Sequence, residues 1–198
     1  MKDAIHAFKY DRLYAAAPLL GKFLAQAISP LAGEAPSTLL VVPVPLHKSK
    51  HVQRGFNQAR VLGVQAIKHL ETIHPEWHLT LAAKSLVRLR ATESQAGLTP
   101  RMRRMNVRGA FKVSDPQVVK DRDILVIDDI LTTSATARAV SKALRDAGGR
   151  SVWVATLARA RRINDVGGSD FQDQVPNDIE AGLSKGANAY SSQDQPSF

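Results

Sequence analysis

Four wholly apolar residues, Leu39-Leu40-Val41-Val42, stand between a turn signal at Ala35-Pro36-Ser37 and a stop at Pro43-Val44-Pro45. A Val-rich run that short, without polar alternation, is the pattern of a strand buried on both faces. Ile124-Leu125-Val126-Ile127 repeats it between charged neighbours, and Ser151 to Leu157 forms the next strand. Between these two, Ala137, Val140, Leu144 and Ala147 recur at helical spacing, so Thr136 to Ala147 is predicted as a helix that Gly148-Gly149 ends. Strand, helix and strand at these lengths make a βαβ unit. The expected class is therefore α/β, with a doubly wound, mostly parallel sheet and helices on both faces.

The remaining pattern is less regular. Ile5 to Ile28 reads as helix, with Pro18 as its break, and Asn57 to Ile73 carries Ala59, Leu62, Ala66, Ile67 and Leu70 on one stripe. Leu79 to Val87 reads as one strand and Ala110 to Val113 as another. Arg88 to Gly109 has no clear periodicity, and a loop that long in a compact domain is usually a functional lid or disordered. From Asn164 onward hydrophobic residues give way to Gly, Ser, Asp, Gln and Asn. Such a segment buries too little apolar surface to offset its ordering entropy, so 1–163 is read as the domain and 164–198 as a disordered tail.

Charge sharpens that division. The tail carries six acids (Asp165, Asp170, Asp173, Asp178, Glu180 and Asp194) against Lys185 alone, a net charge of −5. The chain as a whole is +9, so residues 1–163 carry +14. A body that basic suits an anionic partner, a polyphosphate or a nucleic acid, although charge alone does not separate these from simple solubility. The absence of cysteine excludes disulfides, a thiolate nucleophile and cysteine-built zinc sites. No run approaches the roughly 20 apolar residues of a membrane span, and Met1 to His6 has no secretory h-region, so a cytoplasmic address is expected by default.

Chemistry concentrates where the second buried run stops. Asp128 and Asp129 stand at its carboxyl end, where open α/β sheets bind ligands. Thr132, Thr133, Ser134, Ala135 and Thr136 follow, small residues of which four bear hydroxyls, running into a helix start. Backbone N–H groups there, aided by the helix dipole, form an anion site, and small side chains let the backbone close on a phosphate. Paired acids just upstream suit the two hydroxyls of a ribose or a magnesium ion shared with a diphosphate. The plainer reading, an N-cap beside a solubilising carboxylate, accounts for one residue of each kind and leaves the combination unexplained. Neither G-x-x-x-x-G-K-[ST] nor G-x-G-x-x-G occurs, which argues against a P-loop ATPase and a Rossmann dehydrogenase.

Leu125 to Thr136 resembles the phosphoribosyl-pyrophosphate (PRPP) motif of type I phosphoribosyltransferases. That family usually has glycine where this chain has Ser134. Val42 to His47, Gln53 to Ala59, and Ser94 to Leu98 with Arg101, Arg104, Asn106 and Gly109 to Phe111 are similar, in order and spacing, to the ComF family of phosphoribosyltransferase-like proteins linked to competence and DNA uptake. Ile5 to Tyr10 resembles that family's start of this domain, so the likeness covers roughly residues 4–160. Many ComF proteins carry a cysteine-rich zinc module first. This chain begins after such a module would end, which reads as a short form or a truncated product.

The resemblance implies a type I phosphoribosyltransferase fold and a PRPP-binding, Mg²⁺-dependent glycosyltransferase chemistry. Asp128 and Asp129 would hold ribose hydroxyls and the metal, and Thr132 to Thr136 the 5′-phosphate. Val44, Pro45 and Leu46 would form the loop receiving pyrophosphate. Arg54 is the expected ligand contact near it, since arginine grips phosphate bidentately, while His47 and His51 are expected to be solvated. Arg101 and Arg104 fall where the family's flexible lid lies, in a basic stretch from Lys84 to Arg108. The same arginines could instead track single-stranded DNA. Trp77, Phe111 and Trp153 are expected in the core. No residue stands out as a general base, so the acceptor and any catalytic turnover stay open, as does the oligomeric state.

Overall fold

The computed structural model describes residues 14–90, 100–131, 134–159 and 184–185. Its centre is a sheet of strands β1 (Thr38–Pro43), β2 (His78–Leu81), β5 (Asp123–Leu131), β6 (Ser151–Arg159) and β7 (Ser184–Lys185), in the order β2-β1-β5-β6-β7. The first four are parallel, and β7 adds two residues antiparallel to Trp153 and Val154. A separate antiparallel ribbon joins β3 (Leu86–Arg88) to β4 (Phe111–Val113).

The apolar runs are buried because both sheet faces are covered. Helices α1 (Ala17–Ile28) and α3 (Gln58–Ile73) cover one face, where Leu24, Ile28, Leu62 and Leu70 meet Leu39, Val41, Leu125 and Ile127. Helix α6 (Ala135–Asp146) and the β3–β4 ribbon cover the other, where Val140, Leu144, Phe111 and Val113 meet Leu40, Val42, Val126 and Val154. The α/β, doubly wound, mostly parallel architecture expected from the sequence is the one observed.

Three expectations change. Leu79 to Val87 is not one strand: Ala82 to Ser85 turns, with Ser85 Oγ and N both donating to the Ala82 carbonyl, so β2 belongs to the main sheet and β3 to the ribbon. The aperiodic stretch from Arg88 to Gly109 is not all loop, because it holds helix α4 (Pro100–Val107), while 91–99 lie outside the described residues. Of the helix expected over Ile5 to Ile28, residues 5–13 lie outside the described residues, and the α-helix begins at Ala17 after a 3-10 turn over Tyr14–Ala16. Pro18 occupies the first turn of α1, where its missing N–H would have had no intrahelical partner. Two short helices, α2 (Lys48–Arg54) and α5 (Pro116–Val119), have no counterpart in the sequence pattern. The tail lies outside the described residues except for β7.

Candidate functional site

The site lies where the sheet changes direction. From β1 the chain passes through α3 to β2 on one side, and from β5 through α6 to β6 on the other. Ligands of open α/β sheets bind beyond the carboxyl ends of the strands at such a reversal. The β1–β5 pairing ends at Pro43 opposite Ile127, with one further bond from Val44 N to the Ile127 carbonyl. The pairing of β5 with β6 continues to Leu131 opposite Arg159. Central strand β5 therefore overreaches β1 by four residues, Asp128 to Leu131, and a cleft of about 250 Å³ opens along that step.

The cleft's walls are built by local sequence. On the β1 side, Val44, Pro45 and Leu46 lead into α2, which His47 caps by accepting from Ser49 N. Gly55, at φ 77°, ends α2 in the left-handed region and turns the chain into α3. Asn57 then does two jobs: its Oδ1 accepts from Arg60 N at the start of α3, and its Nδ2 donates to the Val44 carbonyl at 3.0 Å. That second bond fixes the loop against the helix. Arg54 Nη1 lies 3.5 Å from Oε1 of Gln58, a side chain only 2 % exposed in the cleft wall.

On the β5 side, Asp128 and Asp129 are half-buried at the step. Asp128 Oδ1 accepts from Asp129 N at 2.9 Å and Asp129 Oδ1 from Ile130 N at 2.8 Å, which orients both carboxylates. Ser134, Ala135, Thr136 and Ala137 complete that wall at the start of α6. Ser134 sits at φ 59°, ψ 8°, and its side chain makes no capping bond. A side chain in that left-handed conformation costs about 1–2 kcal/mol. Glycine adopts this conformation without that cost, so Ser134→Gly is expected to raise stability by about 1 kcal/mol in a denaturant titration. No gain would show that the conformation is relaxed in solution.

The two long helices α3 and α6 thus both start at the cleft, and Lys50, Arg54 and Arg88 line it beside Asp128 and Asp129. Sequence alone groups Arg88 with the lid arginines. Its place opposite Phe111 in the ribbon puts its guanidinium carbon 5.2 Å from that ring's centroid, and the residue lines the cleft. Burial pushes the Arg88 guanidinium below the usual arginine value, and the Asp128 carboxylate opposes that shift.

Of the expected site residues, Val44, Pro45, Leu46, Arg54, Asp128, Asp129, Ser134, Ala135 and Thr136 meet in this one cleft. Thr132 and Thr133 lie outside the described residues, as do the side chains of Arg101 and Arg104 on α4. His47 lies in the loop before α2, as expected, and also caps that helix through exposed hydrogen bonds. Trp77 and Phe111 are buried and Trp153 is half-buried. Among the described residues no group of three or more His, Cys, Asp or Glu side chains could cage a metal. Two carboxylates alone do fit magnesium, a hard cation that keeps waters and takes its other oxygens from a bound phosphate.

No family model matches the chain. Among curated proteins, the DNA utilization protein YhgH of Escherichia coli (strain K12) is 33% identical over 119 residues, 60% of this chain and 48% of that one. YhgH of Salmonella typhimurium is 30% identical over 158 residues, 78% and 65% of the two chains. Competence protein F of Haemophilus influenzae is 31% identical over 121 residues, 61% and 50%. This chain is a homologue of the YhgH and competence F proteins. It spans about half the length of the first of these relatives, 48% of the Escherichia coli YhgH. Solved structures similar to it include the glutamine PRPP amidotransferase from B. subtilis, with TM-score 0.46 and 20% identity over 73% of this chain and 26% of that one. Another is the hypoxanthine-guanine phosphoribosyltransferase from Schistosoma mansoni, with TM-score 0.42 and 18% identity over 74% and 57%. No helix among the described residues is long and apolar enough to cross a membrane.

Proposed function

We propose that the cleft binds PRPP, or a closely similar phosphorylated sugar, together with Mg²⁺. The observation that carries this reading is the junction of the two carboxylates of β5 with the start of α6 and the cations Lys50, Arg54 and Arg88 in one groove. A ligand with that pattern of charge needs an anionic end, a second anionic group and vicinal hydroxyls or a metal between them. Asp128 and Asp129 hold the ribose hydroxyls and share the metal, which neutralises diphosphate charge. The start of α6 takes the 5′-phosphate. The Val44–Leu46 loop, with Lys50 and Arg54 behind it, takes the pyrophosphate.

Where an acceptor is present, the C1–O bond of the ribose breaks with its electron pair leaving on pyrophosphate, and the acceptor's nucleophilic atom bonds to C1 as it loses its proton. Calorimetric titration with PRPP and Mg²⁺ tests binding. Saturable binding that disappears without Mg²⁺ or weakens at least tenfold supports the reading, and no heat with either would remove it. Pyrophosphate release in an acceptor screen then tests turnover.

The second reading is a non-catalytic protein that handles single-stranded DNA. It is favoured by relatives whose names refer to DNA utilization and competence, and by the +14 charge of residues 1–163. On that reading, binding of an oligonucleotide falls steeply with salt. Replacing Arg101, Arg103 and Arg104 by alanine should flatten the slope by roughly one unit for each phosphate no longer gripped. Absence of binding at low salt would leave the basic surface to the small ligand alone.

A further inference from the structure

We propose that Arg88 is a built-in counter-ion for the acidic half of the cleft: set beside the Phe111 ring, it shares the cleft with Asp128 before any ligand binds and so disfavours a metal ion that arrives without an anionic ligand. The inference rests on the magnesium and diphosphate reading of the cleft and adds a rule for the order of assembly.

The geometry is specific. Arg88 and Phe111 are directly opposed in the antiparallel ribbon, so backbone register sets the two side chains side by side, with the guanidinium carbon 5.2 Å from the ring centroid. A cation over an aromatic face is attracted by the ring quadrupole, more so when partly desolvated. Arg88 is half-buried and lines the same cleft as both acids. Burial lowers its guanidinium value, and the Asp128 carboxylate opposes that shift. Arginine remains cationic throughout the working pH range, so the interaction cannot be relieved by loss of a proton.

A divalent cation on Asp128 would add two positive charges to the cleft that this guanidinium lines, and repulsion between partly buried charges is screened less than in bulk water. A polyanion removes the conflict, since its phosphate oxygens can face the guanidinium and the ion at once. Arg88 therefore acts with opposite sign on the two components: it opposes the metal alone and favours the anion alone. A residue whose role is only to hold the fold would move both in the same direction when removed.

The test uses the full chain with Mn²⁺ alone and with inorganic pyrophosphate alone, each followed by calorimetry, for the wild type, Arg88→Met and Arg88→Lys. Methionine keeps an apolar stem against Phe111 and removes the charge. Arg88→Met is expected to bind Mn²⁺ about fivefold more tightly and pyrophosphate about fivefold more weakly, the scale of a modest coupling between sites. Arg88→Lys keeps the charge and should leave Mn²⁺ binding as weak as in the wild type, which guards against a folding defect in the methionine variant. Unchanged affinities in Arg88→Met, or a loss of both, would overturn the proposal. If the wild type takes up neither pyrophosphate nor Mn²⁺, separately or together, the ligand reading falls and this proposal with it. If it takes up both and Arg88→Met matches it, only the role of Arg88 falls.

Discussion

Changing Asp128 and Asp129 together to asparagine should abolish most of the rise in melting temperature that PRPP and Mg²⁺ produce. A ligand that binds only the folded chain, at a hundredfold its dissociation constant, contributes about 2.7 kcal/mol. For a chain of this length that is a rise of about 5–10 °C. Asparagine keeps the shape of each side chain and an oxygen that can accept from Asp129 N and Ile130 N, so the step in the sheet should survive. What disappears is the negative charge that a metal or a ribose hydroxyl would use. Differential scanning fluorimetry of the wild type and the double variant, with and without ligand, provides the comparison. A ligand-induced rise that persists in the double variant would place the site elsewhere.

A second large effect is expected far from the cleft, at the contact of α1 with α3. A Cβ added at Gly21 would lie 2.2 Å from Gln65 Cβ and 3.0 Å from the Gln65 carbonyl carbon. Neither atom is the mobile end of a side chain, so the helices must separate. Gly21→Ala should cost about 2–3 kcal/mol, as overpacking of a tight contact does, and lower the melting temperature by about 4–12 °C. Gly63 is the matched control. A Cβ there would meet Leu81 Cδ1 at 3.7 Å and Ile127 Cγ1 at 3.8 Å, ordinary contact distances. Gly63→Ala should therefore stabilise α3 by about 0.5–1 kcal/mol through helix propensity. Equal responses at the two glycines would mean that the close helix approach is not maintained in solution.

What could be read from the sequence follows from where apolar side chains had no choice. Leu39 to Val42 and Ile124 to Ile127 are covered on both faces, and only a central strand permits that, so β1 and β5 were legible. Helices α3 and α6 show one apolar stripe because each covers one face of the sheet. By contrast, α4 is written Pro-Arg-Met-Arg-Arg-Met-Asn-Val, with Met102 and Met105 exposed and Val107 buried, which leaves no stripe to detect. Helix α2 is hidden for the same reason: Val52, an apolar residue within it, is 83 % exposed. The β2–β3 division is masked because Leu79 to Val87 stays moderately apolar across a turn that lacks glycine and proline.

The cleft divides along similar lines. Asp128, Asp129 and the small residues after them were legible because adjacent acids, hydroxyls and a helix start are contiguous in the chain. Arg88 does not stand out in the sequence. Its meaning depends on lying beside Phe111 and in one cleft with Asp128, residues 23 and 40 positions away, and nothing in a run of arginines distinguishes the one that lines the cleft. Gln58 reads as one more polar residue at a helix start, although it is among the most buried polar side chains of the described chain.

The four residues by which β5 outruns β1 also divide the labour of evolving a new specificity. The acids ride on a strand paired with β6 both before and after Asp129, through Asp128 and again at Ile130 and Leu131, so their placement is largely settled when the chain folds and costs little at the moment of binding. Among the described residues, the opposing wall, from Val44 through α2 to Asn57, and the ribbon bearing Arg88 share no strand pairing with β5, and the wall's backbone bond to it is Val44 N to the Ile127 carbonyl. Those are the segments that could be exchanged between homologues, or randomised in a library, to recruit a different anion while the paired carboxylates keep their register.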